Sequence, residues 1–255
     1  MRKFALIGFP VAHSLSPALF KAAYPSFPQD TYDLIESNSI EEAFAIFLRK
    51  GYTGANVTSP HKEAVVRFCD HTDDIVKRVG ASNLIIKERE EIYGYNTDYT
   101  AVRELATPFI KTEDASKTAI VTGAGGAGRA AVYALIDLGF KVSILNRTPG
   151  KATCFTGVPG VVTGVLEDIA GFDSCPALLV HTIDHPLPGT AGIDFSKMTI
   201  IEANYKSPNL ANIASVKYIS GREWLISQAI PAFKIFTGAA PDIERMKSAL
   251  DFMYK

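Results

Sequence analysis

"KTAIVTGAGGAGRAAVYALIDLGFKVSILNRT", residues 117–148, decides how the rest of the chain is read. "KTAIVTG" is apolar and β-rich, a buried strand. "GAGGAGRAAVYALIDLGF" opens on glycines and turns helical, and "KVSILNRT" is a second strand. Gly123, Gly125 and Gly128 stand in G-x-G-x-x-G spacing where strand meets helix. The first glycine permits a tight turn, the second lets backbone approach a pyrophosphate, and the third lets helix and strand pack closely. A helix N-terminus also offers free N–H groups and partial positive charge to phosphates. A helix that merely begins at a glycine cluster is the plainer alternative. The flanking strand and helix favour a dinucleotide held by Gly123, Ala124, Gly125, Gly126, Ala127 and Gly128.

The end of the second strand selects the cofactor. An Asp or Glu there would bind the ribose 2′-hydroxyl of NAD. This chain has Asn146, Arg147 and Thr148 instead. A guanidinium stacks on adenine and pairs with a 2′-phosphate, and Asn146 and Thr148 can donate further hydrogen bonds. NADP is therefore expected.

Outward from this unit, strands and helices alternate over the first hundred residues: "KFALIGF", "SPALFKAAY", "TYDLIE", "SIEEAFAIFLRK" and "TGANVT". Such alternation predicts βαβ units around a mostly parallel sheet. Ser39 and Glu42 have the spacing of a capping box. "SNLIIKEREEIYGYNTD" predicts a hairpin with a charged turn, and "DYTAVRELATPFI" a helix running into the polar linker 111–116. "ALLVHTI" and "MTIIEAN" predict two more strands, while residues 149–176 show no clear pattern. From Trp224 the chain is helical. Phe4, Ile7, Phe44, Phe47 and Leu48 are expected in the core by periodicity. The expected architecture is α/β: a substrate domain over 1–110 joined by helices from about 226–255, and a Rossmann-type dinucleotide domain over 111–225. A chain of 255 residues, 47% hydrophobic, is long enough for both cores.

The net charge of −1 provides no global field for nucleic acid or an anionic membrane. Cys69, Cys154 and Cys175 are odd in number and form no CxxC pair, which fits a reduced, cytoplasmic setting. No apolar run reaches the length of a signal-peptide core or a membrane span. His181 and His185 have i, i+4 spacing, but Pro186 follows at once and no HExxH pattern exists, so no metal is expected. A monomer and a homodimer fit the sequence equally.

Three polar clusters sit at element ends in the first domain. "HSLSP" offers Ser14 and Ser16, whose hydroxyls suit a carboxylate, unless Ser16 simply caps the helix that follows. "NVTSPHK" offers Asn56, Thr58 and Lys62, and "GYNTD" offers Asn96, Thr97 and Asp98. Alone, Lys62 reads as a surface charge and Asp98 as a helix cap. Together, a cation and an anion after strands, beside amides and hydroxyls, suggest a polyol pocket. There a lysine paired with a carboxylate exchanges a proton with a substrate oxygen while hydride moves to carbon.

On "SLSP" (14–17), "GANVTSPHK" (54–62), "GASN" (80–83), "GYNTD" (94–98), "GAGGAGRA" (123–130), "NRT" (146–148), Tyr205 with Pro208, and "GREWLISQA" (221–229), the chain resembles the shikimate dehydrogenase family. These stretches fall in the family's order over nearly the whole chain. The resemblance implies reversible NADPH-dependent reduction of 3-dehydroshikimate to shikimate, in aromatic amino-acid biosynthesis. It implies that Lys62 and Asp98 are catalytic and that Ser14 and Ser16 bind the substrate carboxylate with support from Tyr205. Thr58, Asn83, Asp98 and Gln228 would hold ring hydroxyls, and Gly221 would lie near the nicotinamide. Two alternatives share these motifs: a quinate/shikimate dehydrogenase of broader substrate or NAD use, and a non-enzymatic NADP-binding regulator. The chain departs from the family where "VHTIDHPLPG" (180–189) lacks the usual Asn-x-Thr, keeping only Thr182, and where Leu84 follows Asn83.

Overall fold

Lys3–Gly8 (β1) is buried on both faces from Phe4 onward, as a strand covered by helices on each side must be. The computed structural model describes residues 1–110, 117–172, 177–190 and 193–253. The chain divides into two compact units, Met1–Thr97 with Gln228–Lys255, and Asp98–Ser227. The linker expected at 111–116 and Cys175 lie outside the described residues.

The first unit continues with α1 (Ser16–Ala23), β2 (Thr31–Glu36), α2 (Ile40–Arg49), β3 (Gly54–Val57), β4 (His71–Thr72), α3 (Asp74–Val79), β5 (Leu84–Glu88) and β6 (Glu91–Tyr95). Sheet order is β2-β1-β3-β5-β6-β4. β1, β2 and β3 run parallel; β5 is antiparallel to both β3 and β6, through the predicted hairpin. One face carries Ala5, Ile7, Phe44, Phe47 and Tyr52. The other stacks Phe4 on Phe236, with centroids 4.6 Å apart, and joins Phe20 and Tyr32 to Phe233. Gly54 is needed here, since a Cβ would lie 2.7 Å from the Phe236 ring. Two expectations fail. Leu48 is 42% exposed, because it falls on the outer side of α2. The capping box is half made: Ser39 Oγ accepts from Glu42 N–H, but Ser39 N–H donates to Ser37 Oγ, whose hydroxyl donates to Glu42 Oε2. A second serine thus stands between cap and carboxylate.

The second unit holds α4 (Thr97–Ala106, from Asp98 on), β7 (Thr118–Thr122), α5 (Gly126–Asp137), β8 (Lys141–Leu145), β9 (Val161–Gly164), β10 (Leu178–His181), β11 (Thr199–Glu202) and β12 (Lys217–Ile219). The sheet is parallel throughout, in the order β12-β11-β10-β7-β8-β9. Strand order reverses beside β7, at the switch point where α/β sheets bind ligands. The sequence pattern missed β4, β9 and β12, each two to four residues long at a sheet edge. α6 (Gly221–Thr237) starts in this unit and ends in the first, which α7 (Ile243–Met253) completes. Among the described residues no helix is long and apolar enough to cross a membrane.

Candidate active site

In the second unit, β7 ends at Thr122 and Gly123 N–H donates to Leu145 O (2.8 Å), holding the turn against β8. Gly123 has φ +101°, where a side chain is strained, and a Cβ would lie 2.5 Å from Thr182 Oγ1. A Cβ on Gly128 would run into the Gly123 carbonyl. Gly125 is different. Its φ is −79° and, among the described residues, nothing lies within 4 Å of where a Cβ would be. Among the described residues no packing requires glycine there, whereas a pyrophosphate lying on the loop would. The residues therefore fit a dinucleotide.

Asn146 braces this loop: Oδ1 accepts from Ala124 N–H (3.1 Å) and Nδ2 donates to Thr148 O (2.8 Å). Arg147 and Thr148 are exposed beyond β8. Two further supports stand in quoted stretches, but their hydrogen bonds were not foreseen there. Arg129 Nε donates to Ala124 O (3.1 Å), and Thr182 Oγ1 donates to Thr122 O (2.7 Å). Beside them His181 is fully buried, with Nδ1 2.8 Å from Thr122 Oγ1. Burial, and secondarily His185, lowers its pKa to about 4, so its imidazole is neutral. β10 ends at His181, so the i, i+4 histidine pair has no helix to sit on.

The same unit holds Asp98, Tyr205 and Gly221. Asp98 is 3% exposed in the first turn of α4, and the Trp224 indole N–H donates to its Oδ1 (3.1 Å). Trp224 stands inside a quoted motif, but nothing local in the sequence pairs it with Asp98. Tyr205 follows β11, half-buried. Gly221 opens α6 so close to that loop that a Cβ would lie 2.6 Å from Asn204 C and Tyr205 N.

In the first unit, one sheet edge gathers the other candidates. The carboxyl ends of β1, β3 and β6 and the start of β5 share it. Thr58 N–H donates to Ile7 O and Phe9 N–H to Ser59 O, joining the loops that carry Ser14 and Lys62. Lys62 O accepts from Ser82 N–H (2.7 Å), which sets the lysine backbone beside Asn83. His61 is buried with Nε2 2.7 Å from Ser37 O, so it anchors this loop. Asn83 is buried; Oδ1 accepts from Thr97 N–H (2.7 Å) and Nδ2 donates to Thr97 Oγ1 (2.9 Å). Thr97 Oγ1 in turn reaches Gln228 Oε1 at 3.5 Å. Ser14 and Ser16 hydroxyls lie 3.2 Å apart, and the cap position of α1 is Leu15, so Ser16 is not the helix cap. Thr58, Lys62, Asn83, Gln228 and both serines thus belong to one unit, while Asp98, Tyr205, Gly221 and the glycine loop belong to the other.

Fold and site define a two-unit α/β protein with a Rossmann-type dinucleotide unit and a polar-edged partner unit. A family model for the shikimate dehydrogenase substrate binding domain matches residues 6–85. A shikimate dehydrogenase (NADP(+)) of Natronomonas pharaonis is 34% identical over 264 residues, covering 98% of each chain. One of Pyrococcus abyssi is 30% identical over 258 residues, covering 97% of this chain and 96% of that one. The chain belongs to the shikimate dehydrogenase family. The crystal structure of Thermus thermophilus shikimate 5-dehydrogenase in complex with NADP(H) and shikimate superposes with a TM-score of 0.80 at 28% identity, covering 99% of each chain.

Proposed function

We propose that the protein catalyses reversible NADPH-dependent reduction of 3-dehydroshikimate to shikimate in aromatic amino-acid biosynthesis, working in the cytoplasm. Residues 1–110 with about 226–255 would take the substrate, and 111–225 the dinucleotide. The observation that carries this reading is the first unit's sheet edge. There Val57 N–H donates to Asn83 O, Ser82 N–H to Lys62 O and His61 N–H to Thr58 O, so backbone hydrogen bonds of their neighbours tie the three segments together. A cation among hydroxyls and amides suits a polyhydroxylated acid, and relatives that use NADP(+) match the chain along nearly its whole length.

When bound, NADPH supplies the hydride. The Lys62 ammonium would hydrogen-bond the substrate carbonyl oxygen, stabilise the developing alkoxide and deliver a proton to it; Asp98 would act as its carboxylate partner. Ser14 and Ser16, with Tyr205, would hold the substrate carboxylate. Thr58, Asn83, Asp98 and Gln228 would hold the ring hydroxyls. Arg147 and Thr148 would meet the 2′-phosphate, Asn146 would fix the loop between them and Ala124, and Gly221 would leave room at the nicotinamide. The test follows nicotinamide absorbance with shikimate or quinate, each with NADP or NAD. Turnover with shikimate and NADP is expected. Turnover with quinate and NAD alone, or with no pair, would overturn the proposal.

A further inference from the structure

Glu202, the last residue of β11, has no solvent exposure. A buried carboxylate is costly unless donors meet its oxygens. Three uncharged donors do so. Asn209 N–H reaches Oε1 at 2.5 Å; Leu210 N–H and the Tyr218 hydroxyl reach Oε2 at 3.2 and 2.7 Å. Burial and this hydrogen bond push the Tyr218 phenol above its ordinary pKa, which keeps it a donor. An acceptor-only side chain suits a site with three donors; an amide would turn an N–H2 toward one of them.

The two amides belong to the chain returning from β11, so one side chain closes a loop on the strand that starts it. The near end is also held: Ala203 N–H donates to His181 O (2.8 Å). Within the loop, Asn204 Oδ1 accepts from Lys206 and Ser207 N–H, and Nδ2 donates to Ser207 O. Gly221 presses on the backbone at 203–205 from outside. Tyr205 sits between these clamps. Irregular surface loops are ordinarily mobile and tolerant; this one has a buried carboxylate committed to it.

We infer that Glu202 is a positioning residue, which closes the 203–210 loop and thereby sets Tyr205 for the substrate carboxylate. The inference rests on the proposed reading of Tyr205. It is tested on the full chain with Glu202→Gln. Amide exchange at Asn209 and Leu210 is expected to accelerate. KM for shikimate should rise about tenfold, while kcat and KM for NADP stay within about twofold. In a Tyr205→Phe background the same change should add less than about twofold to KM, since the two residues act as one unit. A full tenfold effect in that background, an unchanged KM, or unchanged exchange would each overturn the inference. Should Glu202→Gln not fold, Tyr218→Phe removes one donor and should raise the same KM about threefold; no rise overturns the inference equally. Absence of shikimate turnover by the unaltered protein would instead sink the functional reading, while exchange at 209–210 still reports on loop closure by itself.

Discussion

Gly128 is glycine for packing, because a Cβ would strike the Gly123 carbonyl. Gly125 is glycine for what lies outside the protein, because no described residue comes within 4 Å of where its Cβ would be. Gly128→Ala should lower thermal stability by several degrees and abolish cofactor binding together. Gly125→Ala should cost no more than about 1 kcal/mol, as for alanine at a helix cap, yet raise KM for NADP at least about tenfold. Equal effects of the two on melting temperature would contradict that division. For Lys62 the same scale predicts chemistry: Lys62→Ala should lower kcat at least about 100-fold with a much smaller rise in KM for shikimate. An unchanged kcat would remove Lys62 from proton transfer. These residues stand out in the sequence because glycine spacing, and a lysine just past a strand, are local facts.

At the scale of elements, the ends of strands and helices place the site. α4 presents Asp98 in its first turn and α6 brings Trp224 to it from 126 residues away. Trp224→Phe keeps most of the buried ring area but leaves a buried Asp98 oxygen without that donor. A loss of about 1–3 kcal/mol of stability is expected from denaturant unfolding, with kcat/KM reduced about tenfold; wild-type values for both would show that the indole does not hold Asp98. The long helices and central strands were legible, since their periodicity repeats over many residues. β4, β9 and β12 were not. They are too short to show a period, and their strand form comes from pairing with β6, β8 and β11.

Across the whole molecule, stability carries a pH signature from His181. The unfolded imidazole takes a proton below about pH 6.5, whereas the buried one resists until about pH 4. Acid therefore favours the unfolded chain between those values, and above them the group is neutral in both states and contributes nothing. Unfolding free energy should fall by up to about 3 kcal/mol from pH 6.5 to 4, measured by denaturant titration, and His181→Asn should flatten that limb. An equal fall in the variant would place the loss elsewhere. The sequence alone determined the α/β alternation, the glycine loop after β7, the Asn146-Arg147-Thr148 run beyond β8 and the polar ends of β3 and β6. All of these are written in residues a few positions apart, where backbone geometry and helix-end electrostatics act. Only the tertiary structure decided that Asn83 holds Thr97 at the start of α4, that Asn146 braces the glycine loop at Ala124, that Trp224 meets Asp98, and that Glu202 closes the turn beyond β11. Each of those is a polar group that becomes costly only once burial removes its water, and its partner is fixed by folding rather than by neighbouring sequence.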